Sequence, residues 1–171
     1  MLGSVTIPDS VTNMLYSVFD GCTSLTTAVI GDSVDNLRSC LFRGCTSLSS
    51  VTVGGGVTVV GDLVFMGCTS LTSLTLPSGL TNVGVRVFEG CVKLASIGME
   101  ESLGGLYSSV DGVLMGVDAK THLPTVLVAY PNAKGAVFSV PVGVLSIREY
   151  AFSCCTSLEQ ITFSDSVTSI G

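Results

Sequence analysis

The chain has 171 residues, 47% of them hydrophobic, with seven Lys and Arg against 13 Asp and Glu and a net charge of −6. That length and apolar content supply one continuous core rather than a disordered tail, and so few basic residues, never in a run, argue against nucleic acid as a partner. No uninterrupted apolar stretch approaches the roughly 18 to 20 residues that span a bilayer, so the mean hydropathy of +0.68 reflects spaced core residues, and no membrane insertion by this segment is expected.

The first ten residues, MLGSVTIPDS, lack a basic region followed by an apolar stretch and do not read as a signal peptide. Further along, one word recurs. Gly21–Leu25, Gly44–Leu48 and Gly67–Leu71 all read GCTSL at steps of 23 residues, and weaker copies stand at Gly90–Leu94 (GCVKL) and Cys154–Leu158 (CCTSL). A fixed period of this size marks a solenoid, in which each repeat is one unit stacked on the next.

Each copy has the same internal order. Leu25, Leu48, Leu71, Leu94 or Leu158 opens an L-x-x-L-x-L pattern, as in Leu71, Leu74 and Leu76, and the alternation of Leu74 and Leu76 with Ser73 and Thr75 has the period of a half-buried strand. Pro8, Pro77, Pro141, or a glycine or serine in their place, then turns the chain. A second apolar pair follows: Val11 with Met14, Val34 with Leu37, Val57 with Val60, Leu80 with Val83, Val144 with Ile147, and Val167 with Ile170. Next comes Val18, Leu41, Val64, Val87 or Ala151, directly before Phe19, Phe42, Phe65, Phe88 or Phe152. Adjacent apolar residues there predict a short helical turn. The expected coil is therefore strand, turn, extended segment and helical turn, with about six coils in all. Stacking at about 4.8 Å, the coils form continuous apolar ladders, each buried Phe or Leu contributing about 1.5 to 3 kcal/mol.

Between Cys91 and Cys155 the step is 64 positions, 18 more than two periods, so a segment is inserted. The repeat pattern can be followed through Leu103 and Leu106 to about Val110. An Asp-Gly turn signal at Asp111 and Gly112, apolar runs at Val113–Val117 and Thr125–Tyr130, and a turn at Pro131–Gly135 predict a protruding hairpin over about 111–136. Regular repeats then fill about 1–110 and 137–171 of a single solenoid. Both ends fall within repeats without polar caps, and the expectation is a piece of a longer protein.

These columns resemble a known family. LTSLTLPSGLTNVGVRVFEGC (Leu71–Cys91) and REYAFSCCTSLEQITFSDSVTSIG (Arg148–Gly171) are similar to the BspA-like leucine-rich repeat. The interruption also resembles one that such proteins carry, with Met115 in place of a usual tyrosine and an additional Thr121–Pro124 segment. The resemblance implies a secreted or cell-surface protein. It further implies adhesion through binding of extracellular-matrix or host-cell surface proteins.

Candidate chemistry is sparse. Cys22, Cys45, Cys68 and Cys91 share one column beside a glycine, as small buried residues closing a turn would, while Cys40 lies outside it and Cys154 replaces the glycine. Stacking alone would bring neighbouring cysteines near disulfide range, but the odd total of seven leaves one over. Cys154 with Cys155 lacks the spacing of a zinc site. His122, the single histidine, reads as a loop residue before Pro124, with no nucleophile, base and acid arranged around it. Glu100 and Glu101 read as a solvated loop. Gly54, Gly55 and Gly56 occupy the turn position and lack a following P-loop lysine. No catalytic, cofactor or metal residues are assigned.

The outward strand face is the candidate binding surface. It carries Thr6, Thr27, Val29, Ser50, Thr52, Ser73, Thr75, Ser96, Gly98, Gln160 and Thr162. Three readings fit this flat, weakly charged array: simple solvation of a strand face, a protein-binding surface, and a hydroxyl lattice for ice or another solid. Tyr107 and Tyr130 would add a local hot spot if exposed. The functional expectation is a non-enzymatic protein-binding or adhesion module, with a structural spacer as the alternative.

Overall fold

The computed structural model describes residues 1–101 and 104–171. Leu103, part of the repeat pattern, lies outside the described residues. The first coils lay down paired short strands: β1 (Ser4–Ile7), β2 (Thr27–Ile30) with β3 (Asn36–Leu37), β4 (Ser50–Thr52) with β5 (Val59–Val60), β6 (Ser73–Leu76) with β7 (Asn82–Val83), and β8 (Ser96–Met99). One stack runs β1, β2, β4 and continues as β6, β8; the other runs β3, β5, β7. Every pairing in both is parallel, with partners 23 residues apart, such as Thr27 with Ser50 and Val59 with Asn82. This is a parallel β-solenoid of 23-residue period. Alternation works as expected in β6, where Ser73 and Thr75 are exposed and Leu74 and Leu76 buried.

The third side of each coil differs from expectation. No helix occurs among the described residues; the segment before each phenylalanine is a chain of tight turns. Ser17, Cys40, Leu63, Arg86 and Tyr150, each two positions before its phenylalanine, take φ of 60°, 62°, 60°, 56° and 60°. Left-handed residues cannot continue an α-helix. The neighbouring N–H groups instead bond between coils: Phe19 donates to the Leu41 carbonyl, Phe42 to Val64 and Phe65 to Val87, at 2.9 to 3.0 Å. Adjacent apolar residues such as Leu41 and Phe42 are both fully buried without a helical period. Phe19, Phe42, Phe65 and Phe88 form a ladder of near-parallel rings with centroids 5.5 to 5.9 Å apart.

The inserted segment holds the expected hairpin, but packed into the solenoid instead of protruding. It is a meander of β9 (Tyr107–Val110), β10 (Val113–Val117) and β11 (Pro124–Ala129), antiparallel throughout. Antiparallel pairing begins at Tyr107, earlier than the sequence pattern places the insertion. Asp111 and Gly112, both left-handed at φ 49° and 75°, form the two-residue link between β9 and β10. Val113, Leu114 and Met115 are fully buried, because β10 lies between β9 and β11 and its two faces serve two cores. Leu114 joins the core of the first coils, whereas Val113 and Met115 join a second core around Tyr130, Val144 and Ile147.

After the meander the coil resumes with β12 (Val137–Ser139), β13 (Ser146–Ile147), β14 (Gln160–Thr162) and β15 (Ser169–Ile170). β11 pairs in parallel with β13, and β13 with β15, so the meander leads directly into the second stack. Phe152, aligned with the phenylalanine column by repeat position, packs at tilted angles on Tyr130 and Phe138 instead of extending the ladder.

Candidate functional site

The cysteine column forms a structural chain of thiols. Cys45, Cys68 and Cys91 are fully buried, and each Sγ donates to the carbonyl of the phenylalanine one coil earlier: Phe19, Phe42 and Phe65, at 3.1, 3.2 and 3.0 Å. All seven cysteines are free thiols. Burial pushes Cys45 up to about 11 and Cys91 up to about 12, and raises Cys68 further, so these sulfurs stay protonated and unreactive at neutral pH. Beside them Gly21, Gly44, Gly67 and Gly90 hold φ of 69° to 75°, and exposed Cys154 takes φ 60° at the same place. Among the described residues no group of three or more His, Cys, Asp and Glu is placed to hold a metal ion.

His122 is exposed in the β10–β11 loop with φ 54°, and its N–H donates to the Asp118 carbonyl at 2.8 Å. The Asp118 carboxylate is held below its usual range by the N–H and hydroxyl of Thr121 and the N–H of Lys120. This is a self-contained loop.

The hydroxyl face has more structure than its sequence shows. Thr6, Val29 and Thr52 line up across β1, β2 and β4, and Thr75 lines up with Gly98 across β6 and β8. Between β4 and β6, however, the ladder is broken: among the described residues no hydrogen bond joins them. Ser49 and Ser50 N–H both donate to Thr26 on the β2 side, and Ala95 and Glu100 N–H donate from the β8 side to the Thr72 and Leu76 carbonyls of the β6 segment. In a parallel strand successive residues aim their main-chain groups to opposite sides. Val51 on β4, and Ser73 and Thr75 on β6, therefore face each other without bonding.

The glycine triplet lies at the turn that follows β4. A Cβ on Gly54 would lie 2.5 Å from the Gly31 carbonyl oxygen, and one on Gly56 would lie 1.9 Å from that of Asp32, so coil three is drawn against coil two. At the following coil a Cβ on Gly79 would lie 4.0 Å from the Gly55 carbonyl oxygen, whereas one on Gly84 would lie 2.5 Å from the Gly61 carbonyl carbon. The groove between β4 and β6 is lined by Ser50, Thr52, Ser73 and Thr75, with Val51 in its floor and Glu100 at its rim.

Four of the expected surface residues thus share one groove. Thr27 is half-buried on β2, one strand from it. Thr162 stands apart on the two-stranded sheet β12–β14. The Asp111–Gly112 turn separates it from β8, because Gly112 accepts the Ile97 N–H at 2.8 Å and Asp111 pairs with Lys134 at 2.9 Å. Tyr130 does not meet the condition of exposure: at 2% exposed it is a core residue packed on Phe138. Tyr107 is half-buried, and its hydroxyl accepts the Val83 N–H at 3.1 Å. Sequence reasoning missed the part of Glu100 and the Val51 main chain.

Stacked 23-residue coils with a leucine-lined interior, phenylalanine and thiol ladders and an open strand face define a leucine-rich-repeat solenoid. The chain matches the profile of the BspA type leucine-rich repeat region in six copies, over residues 1–110 and 129–171, and it belongs to that family. A solved leucine-rich cell surface protein from Faecalibacterium prausnitzii is similar at 26% identity and TM-score 0.68, over 99% of this chain and 57% of that one. The pneumococcal vaccine antigen PcpA shares the fold at 21% identity and TM-score 0.74, over 99% and 47%. So does a leucine-rich repeat protein from Eubacterium ventriosum, at 24% and 0.65, over 90% and 45%. The chain spans about half the length of these structures. No curated protein matches it.

Proposed function

We propose that this chain is a non-enzymatic protein-binding module of a cell-surface protein, and that the groove between β4 and β6 is its contact surface. One observation carries the reading: among the described residues, main-chain groups of Val51, Ser73 and Thr75 are left unbonded inside a hydroxyl-lined groove. Unbonded polar groups on a fixed scaffold offer hydrogen bonds to a partner at little ordering cost. The family and the description of the Faecalibacterium structure as a cell surface protein support the location. A matrix or host-cell protein is the partner class this reading favours. A lattice for ice finds less support, since Val29 and Gly98 interrupt the threonine row.

The test is solid-phase binding to extracellular-matrix proteins and host cells, with Thr52→Lys/Thr75→Lys compared against Thr162→Lys. Loss in the first variant alone supports the groove. Equal loss in both, or none in either, removes the groove as contact surface, and absence of any binding makes the chain a spacer.

A further inference from the structure

We propose that the inner edge of β12 is a strand-addition site for an extended, basic segment of a partner protein, a second contact surface that rests on the protein-binding reading but not on the β4–β6 groove. On its outer side β12 pairs with β14, and Gln160 N–H donates to the Ala136 carbonyl while Val140 N–H donates to Thr162. Ala136, Phe138 and Val140 accordingly aim their main chain at β14. The alternation of a parallel strand then turns the N–H and C=O of Val137 and Ser139 the other way. No hydrogen bond meets these groups among the described residues.

In β2 and β5 both edges are filled by neighbouring coils. Here the Asp111–Gly112 turn intervenes, bonded to Ile97 of β8 and to Lys134 ahead of β12. What remains along β12 is a groove of about 360 Å³ with Val110, Tyr130, Phe138 and Pro141 on its apolar side and the Asp111–Lys134 pair on its polar side. The edge lies inside the chain, with coils before and after it. Val137 and Ser139 both line this groove, so the edge is open to solvent.

The occupant follows from this geometry. Two residues presenting paired main-chain donors and acceptors are matched by an extended backbone, which supplies the same groups at the same spacing, while the apolar floor takes one side chain. Charge selects a basic segment. The Asp111 side chain at the groove mouth is 90% exposed while Lys134, its ion-pair partner, is 16% exposed, and the chain carries a net charge of −6.

The test is residue-resolved amide hydrogen exchange on the labelled chain, with and without a synthetic peptide alternating valine and lysine. In the free chain Val137 and Ser139 should exchange quickly while Phe138 is protected. Saturating peptide should slow Val137 and Ser139 by about tenfold or more. Ser139→Pro removes an N–H that β14 does not use, so it should leave melting unchanged and weaken the peptide by about tenfold. Thr52→Lys/Thr75→Lys should leave this protection intact, which separates the edge from the groove. Slow exchange at Val137 and Ser139 in the free chain, no binding at millimolar peptide, or binding that leaves both amides unprotected overturns the proposal.

Discussion

The guanidinium of Arg148 donates to the main-chain carbonyl of Val83 at 2.6 Å, across 65 positions of sequence. Val83 lies in β7, where the second stack of the first coils stops, and its N–H donates to the Tyr107 hydroxyl. Two side chains thus stand in for the strand that would otherwise follow. Arg86 reinforces the seam, pairing with Glu89 and lying 5.2 Å over the ring of Tyr150.

Replacing Arg148 by Ala should therefore strand a part-buried carbonyl and destabilise the chain by about 1 to 3 kcal/mol, seen as a lower urea midpoint. Tyr107→Phe should cost less, about 0.5 to 1.5 kcal/mol. An unchanged midpoint in both would mean that the seam is held by β10 alone.

Phe65 sits between two stacked rings with no exposed surface, so Phe65→Ala should cost about 3 to 5 kcal/mol. Thr75 is exposed, and Thr75→Ala should change stability by less than about 0.5 kcal/mol. Thermal melts of the two variants give the comparison, and equal losses would contradict the inward and outward assignment of the coil.

The thiol column predicts a pH dependence. Burial raises Cys45 from its ordinary 9.0 to about 11 and Cys91 to about 12. Above pH 9 the unfolded chain loses protons that the folded chain retains, so stability is full below pH 9 and falls as pH rises toward 11 and 12. Cys68→Ala should make that alkaline decline shallower. At pH 8 a thiol reagent should label exposed Cys154 and leave Cys45, Cys68 and Cys91 untouched until unfolding.

Cys154 occupies the left-handed position that glycine holds in four other coils. Cys154→Gly should stabilise by about 0.5 to 1 kcal/mol, relief of the Cβ strain outweighing the added freedom of the unfolded chain. A melting temperature that falls instead would show that the thiol makes a compensating contact.

The period made most of the fold legible, because each coil repeats the same burial: Leu71, Leu74 and Leu76 announce strand and core by spacing alone. The helical turn was misjudged because Leu41 and Phe42 are adjacent and apolar, and spacing cannot show that their neighbour Cys40 is left-handed. The hairpin within the meander was legible in the apolar runs Val113–Val117 and Thr125–Tyr130, but its burial was not, because the core it fills joins residues distant in sequence such as Val113 and Val144. Half of the candidate groove was legible as an alternation of hydroxyls. Its opening was not, since the repeat word is intact on both sides of the break.

The thiol bonds bear on how such a chain changes length. Cys45, Cys68 and Cys91 each reach a carbonyl 26 positions earlier, always the same distance, and the strands of the first coils pair at a constant 23. Duplicating or deleting one whole unit leaves every remaining thiol with a carbonyl at that offset, whereas a change of another size needs a connecting segment such as the β9–β11 meander to restore the register. A change in length by whole units is therefore the kind that stacked coils absorb most readily.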